Sequence, residues 1–124
     1  MNDKTLDTPH CYFELKEGIV FGTYKGRITL ESAKKVVKTR LEFTEGKSYP
    51  VCVKTIYVTA INKDARDYFS TEEANKGIKA GAIYVDSVFQ SFMGNFFLKV
   101  SKPKVPSKVF TDRKKAIKWL EQFK

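Results

Sequence analysis

At 124 residues the chain fits one domain, because a chain of this length buries roughly two thirds of its unfolded surface and sustains its own core. A hydrophobic share of 42%, including 14% aromatics, excludes a disordered chain, and no apolar run approaches the roughly 18 residues that a membrane-spanning helix needs. The formal charge of +9 is unevenly placed: residues 99–124 carry nine Lys/Arg against Asp112 and Glu121, so most of the excess sits at one end. Such an asymmetry attracts nucleic acid, anionic lipid or an acidic protein surface, or forms an ordinary solvated face.

Residues 1–9 mix acids with bases and lack the roughly 7 to 15 apolar residues of a secretory signal, so they read as a flexible leader before a single domain over 10–124. Cys11, Phe13 and Leu15 alternate with Tyr12, Glu14 and Lys16, then Glu17-Gly18 turns into a second strand, Ile19 to Tyr24, with apolar residues on both parities. Thr29 is a plausible N-cap for a helix from Leu30 to about Phe43. Leu30, Ala33, Val37 and Leu41 give that helix its packing stripe, and Lys34, Lys35, Lys38 and Arg40 lie mostly elsewhere on its surface.

Residues 45–50 form a loop, and the β-branched run from Val51 to Val58 marks a central strand. Asn62 or Asp64 begins a helix through Ala65, Arg66, Tyr68 and Phe69, and Ser70-Thr71-Glu72-Glu73 restarts it. Small and apolar residues from Ile78 to Val85 make another buried strand, closed by Asp86-Ser87 as the cap of a helix to about Leu98. Within it Val88, Phe92 and Phe96 share one face, and Phe89, Met93 and Phe97 share an adjoining one, a surface that is either core or a docking site. Pro103 and Pro106 keep the next linker extended, Lys108-Val109-Phe110 suits an edge strand, and Thr111 or Asp112 caps a last helix with Ala116, Leu120 and Phe123 on its apolar stripe. The order strand, strand, helix, strand, helix, strand, helix, strand, helix favours an α/β fold with a mixed sheet.

The phrases Gly26-Arg27-Ile28-Thr29, Asp64-Ala65-Arg66, Ala80-Gly81-Ala82-Ile83 and the ending from Pro106 to Leu120 occur in an order and spacing that resembles SpoIIAA-like STAS domains, the bacterial anti-sigma-factor antagonists and their relatives. The resemblance covers His10 to Phe123 and implies about five strands, an N-terminal hairpin plus parallel strands, with helices mainly on one face. It implies a noncatalytic regulatory or protein-interaction module. In that family a Ser at the start of the helix after the central strand is phosphorylated. Here that stretch is Thr59 to Asp64 and lacks the Asp-x-Ser signature, so the phospho-switch does not carry over. The corresponding contact residues are Thr59, Asn62, Lys63, Asp64 and Arg66, with Asp86 and Ser87 at the neighbouring strand end.

Catalytic chemistry has little to build on. His10 is the only histidine, and its one sequence-adjacent partner is Cys11. Glu45-Gly46-Lys47-Ser48 ends like a phosphate-binding loop, but Leu41 stands where that motif needs its first Gly. Glu72 and Glu73 sit where acids favour a helix start. One His, two isolated Cys and scattered acids give no metal-ligand spacing, and no cofactor is expected. Cys11 and Cys52 read as buried reduced thiols, which suits a cytoplasmic protein.

Three functional readings follow. The first is the regulatory module with a protein partner. The second is binding of nucleic acid or an anionic surface through Lys102, Lys104, Lys108, Arg113, Lys114, Lys115 and Lys118. The third is an apolar ligand or a homodimer seam at the Phe-rich helix 88–98.

Overall fold

The computed structural model describes residues 3–124, the side chains of residues 89, 100 and 101 excepted. Strands β2 (Cys11–Lys16) and β3 (Ile19–Ile28) form the expected hairpin. Its two-residue turn places both Glu17 (φ 51) and Gly18 (φ 80) in the left-handed region, the backbone twist that a tight hairpin requires. The inward residues of β2 are buried, and Phe13 stacks on Phe43 at 5.8 Å and meets Tyr24 edge-on at 6.2 Å. Gly22 makes room for that ring: a Cβ there would lie 3.0 Å from Phe13 Cε1.

From β3 onward the strands are parallel. Helix α1 (Leu30–Phe43) leads to β4 (Tyr49–Ile61), α2 (Lys63–Phe69) to β5 (Ile78–Tyr84), and α3 (Val88–Ser101) to β6 (Ser107–Phe110). The strands pair in sequence order, so three right-handed crossovers in one direction put α1, α2 and α3 on the same face. There α1 and α2 close a core over Phe13, Val20, Tyr24 and Val51. Helix α4 (Arg113–Glu121) makes no crossover and covers the other face, burying Ala116 and Leu120 against Ile19, Cys52, Ala80 and Ala82.

The α/β class and the arrangement of helices follow the expectation, with differences that have local causes. The sheet has six strands, because Lys4–Asp7, placed in the leader by the sequence, forms an antiparallel edge strand, β1. Leu6 pairs with Phe13, and Lys4 is fixed by Glu45 at 3.2 Å and by the Phe43 ring at 4.9 Å. Met1 and Asn2 lie outside the described residues. The buried stripe of α1 is Ala33, Val36, Val37, Arg40 and Phe43 rather than one ending in Leu41, so Arg40 is a core residue.

Arg40 also explains why no helix restarts at Ser70. Its guanidinium donates to the carbonyls of Ala74 (3.2 Å) and Lys76 (2.5 Å), and Asn75 Nδ2 donates back to Phe69 and Thr71 carbonyls. These bonds hold residues 70–77 in successive turns, ended by Gly77 at φ 79. No carboxylate pairs with Arg40 among the described residues. Burial lowers its pKa, opposed by the neighbouring Tyr24.

Replacing Arg40 with Met keeps the volume but leaves two carbonyls without a donor, and should destabilise the fold by about 2 to 3 kcal/mol in urea denaturation. A loss within experimental error would show that the turn segment does not depend on this pin. Burial also pushes the Tyr24 phenol up to about 12 and the Cys52 thiol up to about 11. The folded state holds both protons after the unfolded chain has released them, so stability should fall as pH rises from about 9 towards 12. Thermal midpoints measured from pH 8 upward should drop, and Tyr24→Phe should flatten the part above about pH 10; a level wild-type profile would contradict the assignment.

Candidate functional site

The sheet does not end evenly. Strand β4 pairs with β5 only as far as Lys54 opposite Tyr84, yet it continues along β3 to Ile61 opposite Ile28. Measured on β3, from Thr23 to Ile28, β3 and β4 run about 17 Å past the end of β5, at ~3.3 Å per residue, and beyond Tyr24, where β2 ends opposite Cys11, they form an arm of two strands. The register shifts twice, between Thr23 and Lys25 and between Gly26 and Arg27, and each shift inserts an extra residue into β4. Bulges of this kind raise local twist and re-aim side chains. Thr59 is the residue inserted at the second shift, and it is exposed.

The arm ends in α2. Asn62 donates its backbone N–H to Ile28 O at 3.2 Å, and its side-chain oxygen accepts from Ala65 N at 2.9 Å, so it serves as N-cap and anchors the turn to β3. Lys63 and Asp67, one helical turn apart, form an exposed ion pair at 2.8 Å that raises the lysine pKa by hydrogen bonding. Asp64 is exposed, Ala65 is buried beneath it, and Arg66 is half-buried with an Nε that is shielded from solvent and makes no hydrogen bond among the described residues. The structure therefore gathers Thr59, Asn62, Lys63, Asp64 and Arg66 at one projecting tip. Tyr57 and Ile61, which the sequence reading missed, add 54% and 37% exposed apolar side chains to the same arm. Their signal was the β-branched run itself, which continues past Lys54, the last residue of β4 paired with β5.

Asp86 and Ser87 belong to a different level. They follow Tyr84 at the end of β5, where Ser87 Oγ accepts from Gln90 N at 3.0 Å and Asp86 N donates to Gln90 Oε1 at 3.2 Å. Both open α3 rather than join the arm. Their role is first of all that of a helix cap.

The seven basic residues are all exposed, but the topology separates them. Because β5 and β6 are parallel, Lys102 and Lys104 lie at the N-terminal ends of these strands, and Arg113, Lys114 and Lys115 begin α4 at the opposite ends. Lys104 borders an open groove of about 870 Å³ that Glu72 and Glu73 also line. Arg113 lies over the Phe21 ring at 4.7 Å and Lys108 over Phe110 at 5.5 Å, so two of the seven cover aromatic surface of the sheet. They do not form one continuous phosphate track.

Helix α3 is loosely held. It touches β6 and α2, and Gly94 permits the approach, since a Cβ there would lie 3.0 Å from Val109 Cγ2. None of its described side chains is fully buried. Phe89, which the sequence groups with Met93 and Phe97, lies outside the described side chains. A second cavity, of about 260 Å³, lies between α1 and the β1–β2 turn and includes His10 and Cys11. Burial raises the Cys11 pKa, opposed by the contact between Thr8 Oγ1 and Cys11 Sγ at 3.3 Å. Cys11 and Cys52 are both free and buried, one on each face of the sheet. Among the described residues no group of three or more His, Cys, Asp or Glu could hold a metal ion, and no helix is long and apolar enough to cross a membrane.

A family model described as a domain of unknown function, DUF7793, matches residues 13–124. The chain belongs to this family. Among solved structures, the DUF7793 chain is similar to an uncharacterized protein of the DUF3478 family with a SpoIIAA-like fold from Shewanella loihica PV-4. The two share 14% identity over 96% of this chain and 92% of the other, with a TM-score of 0.58. At that identity the likeness shows the fold, and the SpoIIAA-like expectation is borne out at that level. No curated protein matches the DUF7793 sequence.

Proposed function

We propose that this DUF7793 domain is a noncatalytic regulatory or protein-interaction module whose contact surface is the β3–β4 arm and the start of α2, from Thr59 to Arg66. The observation that carries the reading is the arm itself: a projecting, hydrogen-bonded tip on which exposed Tyr57 and Ile61 stand among polar and charged residues. Tyr57, opposite Lys25, and Ile61, opposite Ile28, lie on opposite faces of the arm, so each face carries one apolar side chain among polar neighbours, a mixed composition that suits protein contact. The charges at the start of α2, Lys63, Asp64, Arg66 and Asp67, cancel, and exposed Arg27 on β3 leaves the tip with one positive charge, which suits a protein surface better than a phosphate backbone. The SpoIIAA-like fold supports a module of this kind, and the buried free thiols suit the reducing cytoplasm. Asp86 and Ser87 would extend the surface only for a partner large enough to reach from the tip down to the end of β5.

Affinity capture from native lysate, run with and without nuclease, tests the reading. The wild-type chain should retain one protein that a Thr59→Glu/Arg66→Ala variant loses, because a charge placed at Thr59 and the loss of the adjacent guanidinium both alter the tip. Equal retention by wild type and variant would move the contact surface elsewhere. Retention that disappears with nuclease would instead assign binding to the lysines and arginines of the C-terminal third.

A further inference from the structure

We propose that α3 is the seam of a symmetric homodimer, with a second copy of this chain as its occupant. The inference is independent of the partner assigned to the arm. A helix packed on a sheet normally turns its apolar stripe inward, but here Val88 is 87% exposed, Phe92 69% and Phe96 46%, with Met93 beside them. Val88, Phe92 and Phe96 are spaced by four, so they form a single ridge along the outer side of α3. With roughly 200 Å² per Phe side chain, Phe92 and Phe96 alone expose about 230 Å². Val88 and Met93 bring the ridge to the order of 400 Å², the size at which an apolar patch on a monomer marks an interaction site. That is about half of the ~800 Å² per partner of a standard interface, and the polar flanks of the helix supply surface for the rest.

The charges identify the occupant. Between Val88 and Ser101 the helix carries one charge, Lys99, whereas helices that lie in a membrane interface carry Lys and Arg along a polar face. Exposed charges of opposite sign stand at its two ends: Asp86 just before it and Lys102 just after it. Gly94 lies midway between Phe92 and Phe96, and also midway between Asp86 and Lys102. A two-fold axis at the level of Gly94 therefore sets Phe92 of each copy against Phe96 of the other and Asp86 of each against Lys102 of the other. Antiparallel α3 helices also oppose their dipoles favourably. The same surface is complementary to itself in this register, as an isologous dimer requires.

Sedimentation equilibrium of the full chain, across a wide concentration range, tests the proposal. The wild type should approach twice the 14.2 kDa chain mass, and Phe92→Asp/Phe96→Asp should remain at the single-chain mass with an unchanged circular dichroism spectrum, since both side chains are exposed. Asp86→Lys should weaken the dimer about tenfold, because two symmetry-related pairs turn from attraction to repulsion. The double variant Asp86→Lys/Lys102→Asp should restore it. A wild type that stays monomeric, a dimer that survives the Phe substitutions, or an Asp86→Lys effect that the second charge reversal does not repair would each overturn the proposal. A monomeric chain that sediments with phosphatidylserine vesicles would overturn it in favour of a lipid surface.

Discussion

The pairing of β3 with β4 is the constraint on which the rest of the structure depends. It joins the antiparallel N-terminal half of the sheet to the parallel half, and it contributes inward residues to the core on both faces, Val20 and Val51 to one and Ile19 and Cys52 to the other. Because β4 follows β3 beyond the reach of β5, the same pairing carries α2 out to a projecting tip. A strand of ordinary length would have ended level with Tyr84 and put the N-caps of α2 and α3 side by side at one sheet edge. The two bulges then let an arm only two strands wide twist while its hydrogen bonds persist.

This geometry divides the exposed surface into regions with different physical character. The arm offers a weakly charged, mixed apolar and polar tip on hydrogen-bonded backbone. Helix α3 offers a nearly uncharged apolar ridge, attached through the close approach at Gly94. The basic residues are spread over both ends of the parallel strands, so a large formal charge produces no single focused surface. Binding at the arm and self-association at α3 thus use separate elements, and neither need compete with the other.

Elements whose causes are local were legible in the sequence. The hairpin is written in the alternation of Cys11, Phe13 and Leu15 and in Glu17-Gly18, and the helix starts are written in Thr29, Asn62, Ser87 and Asp112, whose side chains all cap as their chemistry suggests. What escaped depends on distant partners. Strand β1 has one apolar residue and takes its place from Phe13, Phe43 and Glu45. The turns at 70–77 are held by Arg40, more than thirty residues away, which on its own helix reads as one more surface cation. Periodicity likewise could not say which side of α3 faces outward, because apolar residues surround it. The tip residues from Thr59 to Arg66 were found through a family resemblance, but the arm's length, and with it the separation from Asp86 and Ser87, follows only from the strand register.

The proposed contact surface exists only if the arm is a fixed extension of the sheet. Amide hydrogen exchange of the free chain reads this directly, with the amides of Gly26–Ile28 and Tyr57–Asn62 that point across the β3–β4 pair, Asn62 N to Ile28 O among them, compared with those of Val51–Val53 at the sheet centre. Pairing along the arm predicts exchange slowed by at least about a hundredfold relative to an unstructured chain, though less than at the centre. Exchange at the unstructured rate beyond Lys54 would mean that β4 ends with β5, and that no projecting surface exists to present Thr59, Asn62 and Arg66 to a partner.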